Sequence, residues 1–260
     1  MSIETAIYEV LSLTDLRPNA RTNSVLTQLV NTVVETKDSS ELNRYKKKLI
    51  EKVRNISASA ETKMEIYWSR RISQSEKPEN EMWNFPYIDN YVELTRRELS
   101  LVSLSGLTLN RNSKILVIGS GPLPLSAIEL NRQTGAKISQ VDNSTLAIES
   151  SRILCNAVGA KSGYYEGDGQ NIHLDESYDL ILIAALAGNT TRDKQKIIDN
   201  VLPHLSRNGR IILRSARDMR ELLYPGIKAD SLKRVKKLVE YHPQDYVINS
   251  VYIYGGTDEK

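Results

Sequence analysis

The apolar positions of the chain change their period near residue 110. Upstream they recur every three or four residues. Leu42, Tyr45, Leu49, Val53 and Ile56 make the stripe of an amphipathic helix, and Met64, Trp68 and Ile72 make a second. Asp38, followed three residues later by Glu41, predicts a capping box at the start of the first helix. Residues 74–81 are polar and carry Pro78, which predicts a loop. Asn90 with Glu93 predicts another capping box, opening a helix through about Val102.

Downstream, short apolar runs alternate with helical stretches. Strands are expected at 114–118, 137–141, 163–166, 178–186, 210–214 and 246–254. Helices are expected from the end of a glycine loop at 119–125 to about Thr134, and at 145–158, 193–205, 217–223 and 230–240. Gly209 is read as the stop after the third of these. The unbroken apolar run at 178–186 suits a strand covered on both faces. Strands separated by helices imply an α/β fold with a parallel, doubly wound sheet. The chain therefore divides into a helical domain over 1–110 and a Rossmann-like domain over 111–260.

Composition narrows the function classes. The 260 residues are 40% apolar and 26% charged, ordinary globular values. The net charge of +3 is small and the basic residues are scattered, which argues against nucleic acid as a partner. Lys46-Lys47-Lys48 sits beside an apolar stripe and reads as a solvated face. No apolar run reaches the roughly 18 residues of a membrane span. The first five residues show no signal-peptide pattern, so a soluble, cytoplasmic protein is expected. Cys155 stands alone, and His173, His204 and His242 lack ligand spacing, so no metal cofactor is expected.

Candidate chemistry begins at Gly119-Ser120-Gly121, between a predicted strand and a predicted helix. Such a turn admits close approach of a ligand to the backbone, and the following helix N-terminus offers free N–H groups. Asp142 ends the next strand, roughly 20 residues on, where a carboxylate can accept from both ribose hydroxyls. Asp168, in the loop after the third strand, is placed to accept from an adenine amino group. Pro122 and Pro124 replace the third glycine of a dinucleotide loop and remove donors that a pyrophosphate would use. The ligand expected is an adenosine compound without phosphate, such as S-adenosylmethionine.

These residues resemble a known family. Gly119-Ser120-Gly121-Pro122-Leu123-Pro124-Leu125-Ser126 is similar to the signature of nicotianamine synthases. So are the segment from Phe85 to Tyr91, Ala184-Ala185-Leu186-Ala187-Gly188, Leu213-Arg214-Ser215-Ala216 with Leu223-Tyr224-Pro225, and the stretch from Leu16 to Val30. The resemblance implies a class I methyltransferase-type Rossmann fold carrying an N-terminal helical bundle. It implies that S-adenosylmethionine is a substrate, bound by Gly119, Ser120, Gly121, Pro122, Asp142, Asp168, Ala184 and Ala185. Its 3-amino-3-carboxypropyl (aminobutanoyl) group would pass to an amine, with release of 5′-methylthioadenosine, in metallophore synthesis. Glu65 and Tyr91 match the positions of acceptor-side polar groups, and Arg214 is placed to pair with a substrate carboxylate. The acceptor is either histidine or a second S-adenosylmethionine-derived unit, and a homodimer stays open as the assembly.

Tyr224 is read as structural, and Trp68 and Trp83 as packing. Two other readings of the chain stand beside the first. A methyltransferase would release S-adenosylhomocysteine. A non-catalytic S-adenosylmethionine-binding module would consume nothing and has no need of a base beside the sulfonium.

Overall fold

The helical periodicity of the first hundred residues is realised in α1 (Ile3–Leu11), α2 (Ala20–Glu35), α3 (Lys47–Ser73), α4 (Pro78–Met82) and α5 (Ile88–Leu104). The computed structural model describes residues 1–257. After α5 the chain runs through β1 (Lys114–Ile118), α6 (Leu125–Thr134), β2 (Lys137–Asp142), α7 (Thr145–Ala157), β3 (Ser162–Glu166), β4 (Tyr178–Ile183), α8 (Thr191–Val201), β5 (Leu205–Ser215), β6 (Val235–Tyr241) and β7 (Ser250–Gly256).

Among the described residues the strands form a seven-stranded sheet in the order β3-β2-β1-β4-β5-β7-β6. The first five strands pair in parallel. The last two do not: β7 runs antiparallel to β5, and β6 antiparallel to β7. The α/β class and its doubly wound half are as expected; among the described strands β7 alone runs against the others, which corrects the all-parallel sheet. Chain order turns back between β1 and β4. A switch point of this kind opens a crevice at the carboxyl ends of the two strands.

Apolar strands follow from cover on both faces. Ile115 and Val117 of β1 join a core layer with Leu94 and Val102 of α5. Leu116 and Ile118 face the opposite layer, with Ile197, Ile198 and Val201 of α8. A third core joins Ile3, Ile7, Val10, Val25, Leu29, Val33 and Val53 of the first three helices to Met219, Leu222, Leu223 and Ile248. The helical cap is thus fastened to the segments on either side of β6, over the crevice. Each such fully buried aliphatic side chain contributes about 1.5–3 kcal/mol.

Several boundaries differ from the sequence pattern. The two upstream stripes lie largely on one 27-residue helix, α3, which begins at Lys47. Asp38 caps a 3₁₀ turn over Ser39–Arg44 instead, accepting from the Ser40 N–H at 2.9 Å. Asn90 lies inside α5, its N–H already donating to the Tyr87 carbonyl, so its side chain is free of capping duty. α8 stops at Val201, and Gly209 falls within β5. Residues 218–222 make a 3₁₀ turn. The segment expected to be helical at 230–240 pairs as β6, with Val235, Lys237, Val239 and Tyr241 less exposed than Lys236, Leu238 and Glu240. Its lysines and leucine suit a helix, but pairing with β7 outweighs that weak preference. Among the described residues, no helix is long and apolar enough to cross a membrane.

Candidate active site

A cavity of about 840 Å³ occupies the crevice beneath the cap. Its lining includes Gly119, Ser120, Gly121, Pro122, Asp142, Asp168, Ala184, Ala185, Arg214, Glu65 and Tyr91, all of the residues singled out from sequence. Sites for small molecules usually span about 300–1,000 Å³, so two of modest size fit here together.

The floor is the loop after β1. Gly119 and Ser120 donate to the Val141 carbonyl, and Gly121 donates to the Asp142 Oδ2 at 2.9 Å. The other Asp142 oxygen accepts from the Ser144 N–H at 3.0 Å. Two backbone donors therefore aim this carboxylate, and each oxygen keeps a lone pair for a hydroxyl. Gly119 and Gly121 have φ of +78° and +69°, the left-handed region that favours glycine. A Cβ on Gly119 would stand 3.0 Å from the Ala187 Cβ and 3.3 Å from the Ala184 Cβ. Pro122 and Pro124 leave the start of α6 without a side-chain cap and with fewer N–H groups, a poor cradle for phosphate. Asp168 is exposed at the rim and bound to the Gln170 N–H at 2.9 Å.

The loop after β4 forms one wall. Ala184 donates to the Ile118 carbonyl, tying it to β1. Beneath it, the buried Lys194 amine of α8 donates to the Ala184 carbonyl at 2.5 Å and the Ala185 carbonyl at 3.1 Å. Burial drives this amine down to about 7 from an ordinary 10.5. Between those values the unfolded chain holds the proton and the native state does not, so stability gains with rising pH. The stability of the protein relative to Lys194→Met is expected to rise from about pH 7 to about pH 10 and level off above. Urea unfolding of both proteins across that range checks it.

The roof comes from α3 and α5. Glu65 stands directly above the glycine loop, with its Oε2 3.0 Å from where a Gly121 Cβ would be. The Tyr91 phenol adjoins it. Burial, then the charges of Glu61 and Asp142, hold the Glu65 carboxyl well above the usual carboxylate range. Burial also raises Glu61. The Tyr224 hydroxyl donates to the Glu61 Oε1 at 2.9 Å. These side chains are enclosed by protein yet retain some accessible surface, because the cavity they border is wide enough for water. Three buried polar atoms on the lining, Ser57 Oγ, Asn90 Oδ1 and Ser120 Oγ, have no protein partner. Such orphans inside a roomy cavity fit a polar ligand.

Arg214 departs from expectation. Its two-point bond goes to Glu98 of α5, at 2.6 Å and 2.8 Å, and its third nitrogen donates to Ser126 Oγ at 2.8 Å. The guanidinium is committed within the protein and borders the cavity as an anchored, neutralised pair. Glu61, Glu98 and Lys194 were not singled out from sequence. The available signal was an ionisable residue in step with an apolar helix face: Glu61 with Glu65 and Trp68, Glu98 with Leu94 and Val102, Lys194 with Ile197 and Val201. Tyr224, read as structural, supports a cavity carboxylate. Trp68 packs edge-on against Phe85, whereas Trp83 is 45% exposed with Arg132 over its ring. Cys155 is buried. Among the described residues, no His, Cys, Asp and Glu side chains gather into a metal-binding group.

Known proteins resemble this chain along nearly its whole length. The family model described as nicotianamine synthase protein matches residues 2–258. The nicotianamine synthase of Solanum lycopersicum is 30% identical over 257 residues, covering 95% of this chain and 80% of the relative. Nicotianamine synthase 2 of Arabidopsis thaliana is 29% identical over 257 residues, covering 94% and 79%. The solved structure of MtNAS in complex with MTA and tNA superposes with a TM-score of 0.80 at 19% identity, over 98% of this chain and 97% of its own. A mutant of MtNAS in complex with S-adenosylmethionine gives 0.79 at 19% identity, over 98% and 96%. Part of the fold is shared more widely. Magnesium protoporphyrin IX methyltransferase from Synechocystis, with bound SAH, gives 0.50 at 13% identity over 64% of this chain and 83% of that one.

Proposed function

The chain belongs to the nicotianamine synthase family and is an S-adenosylmethionine-dependent transferase of that type, and from this premise we propose that Glu65 and Tyr91 prepare the accepting amine while Asp142 and the glycine loop hold the donor nucleoside. The observation that carries the assignment is the contact of Glu65 with the loop: a buried carboxylate against Gly121, where the nucleoside end of the crevice meets the cap.

The donor's sulfonium already makes sulfur a good leaving group, so catalysis is mainly placement and removal of a proton. The amine nitrogen attacks the aminobutanoyl methylene. The carbon–sulfur bond breaks, its electron pair returns to sulfur, and methylthioadenosine leaves as a neutral thioether. The proton shed by the amine passes to Glu65. Its carboxyl, raised by burial and by Glu61 and Asp142, is a stronger base than an exposed glutamate. Tyr91 holds the amine in line beside it. Asp142 takes the ribose hydroxyls and Asp168 the adenine edge. Ala184 and Ala185 set the wall, at a height fixed by Lys194.

The acceptor we infer is a unit derived from S-adenosylmethionine, and the product a metallophore bearing several amines and carboxylates. The similarity to nicotianamine synthases over nearly the whole chain supports this over histidine. Incubation of the purified protein with S-adenosylmethionine, with and without histidine, followed by mass spectrometry of nucleoside and products, tests it. Methylthioadenosine in both arms is expected. S-adenosylhomocysteine would overturn the transfer chemistry, and strict dependence on histidine would overturn the acceptor.

A further inference from the structure

α3 carries Ser57, Glu61 and Glu65 at successive steps of four residues, on one face, and all three border the cavity. The chemistry above uses Glu61 only through its charge on Glu65 and gives it no contact with substrate. Glu61 stands one turn farther from the glycine loop, under the roof lined by Leu26, Leu29 and Val30 of α2. Tyr224 holds one of its oxygens, and the unpartnered Ser57 hydroxyl lies one turn beyond.

The charge balance of the cavity is one-sided. Arg214 is matched by Glu98, and the Lys194 amine points at two carbonyls. Among the described residues, no Lys, Arg or His side chain forms an ion pair with Glu61 or Glu65. Two neighbouring buried carboxylates ionise together only if a ligand brings the compensating charges. One aminobutanoyl transfer creates such a ligand. The nitrogen that attacked is then joined through three carbons to the α-ammonium of the transferred unit. That spacer extends to about 5 Å, close to the roughly 5.4 Å of one helical turn. The two nitrogens of a once-extended acceptor therefore reach Glu65 and Glu61 together.

The geometry points to Glu61, oriented by Tyr224, as a docking site for the second ammonium of the acceptor, retaining the product of one transfer for the next. This inference rests on the aminobutanoyl-transfer reading. Glu61→Gln keeps the shape and removes a buried charge, so the variant folds, which its melting temperature verifies. Wild type, Glu61→Gln and Tyr224→Phe are incubated with S-adenosylmethionine, and products are resolved by mass according to the number of units carried. Calorimetry measures S-adenosylmethionine affinity in parallel. Loss of a charge-assisted contact predicts that the ratio of once- to twice-extended product rises about ten- to a hundred-fold in Glu61→Gln, with donor affinity unchanged. Tyr224→Phe shifts the ratio the same way by less. An unaltered ratio, equal losses in both transfers, or a wild type that adds a single unit overturns the inference while the transfer reading stands. A wild type that releases no methylthioadenosine overturns both.

Discussion

Replacing Glu65 by Gln is expected to lower turnover by about 10²–10⁴-fold, the usual worth of a positioned base, and to raise thermal stability. The two effects have one origin. Burial and the charges of Glu61 and Asp142 hold the Glu65 carboxyl well above its ordinary value. The native state therefore keeps a proton that the unfolded chain releases, and the site costs stability above the unfolded pKa, increasingly so until the native pKa is passed. Glutamine fills the same space without that cost. The pH profile follows the same sign. Activity of the wild type rises with pH as the carboxyl ionises, and this acid limb disappears in the variant along with most of the rate. Steady-state release of methylthioadenosine across pH, with a melting curve for each protein, checks both halves. A variant that loses rate and stability together would show that Glu65 serves the fold and not the reaction.

The largest stability effect is expected at Glu98. Its side chain is fully buried and that of Arg214 is 7% exposed, with two short hydrogen bonds between them. Glu98→Ala leaves a guanidinium buried without its counterion, at a cost of about 3–5 kcal/mol. Against a total stability of about 5–15 kcal/mol for a typical domain, that is a large share. Removing both charges, as Glu98→Leu with Arg214→Met, is far milder because no charge is stranded. Urea unfolding of Glu98→Leu, Arg214→Met and the double variant gives the coupling directly. Additive losses would mean that the pair is not the structural unit drawn here. The pair ties the sheet to the roof: Arg214 lies near the carboxyl end of β5, just past its last parallel pairing with β4, Glu98 belongs to α5, and the same helix carries Tyr91. Fixing α5 on the sheet fixes the phenol over the loop.

Many residues of this candidate site are legible in the chain, in that those singled out by pattern and resemblance line one cavity, and the reasons are local. A glycine loop between an apolar strand and a helix has few other uses, and the double proline narrows the ligand. Asp142 declares itself by ending the next strand. Glu65 and Tyr91 required the family resemblance, since a helix glutamate and a tyrosine beside Phe85 look ordinary by themselves. Glu61 and Glu98 escape because each belongs to a pair closed only by the fold, and Lys194 because its nearby partners are backbone carbonyls, which leave no mark in the sequence. Glu98 and Arg214 are 116 residues apart, and Tyr224 meets Glu61 across 163. No window along the chain contains both partners. Arg214 lines the cavity, and its two-point bond to Glu98 is invisible along the chain for the same reason. The misread stretch at 230–240 is a different failure. Its residues suit a helix in isolation, and only β7, which follows it in sequence, makes it a strand.

That last strand has a consequence for how the molecule behaves in company. β6 is the outermost member of the sheet on its side, so its free margin carries backbone groups that another chain could pair with. Lys236, Lys237 and Glu240 lie along it, and Lys237 is held by Asp230 at 2.6 Å. The register also slips between Lys237 and Val239. Charge and irregularity together make a poor template for strand addition. The charged residues that make β6 look helical in sequence are the ones that disfavour edge-to-edge pairing of concentrated copies.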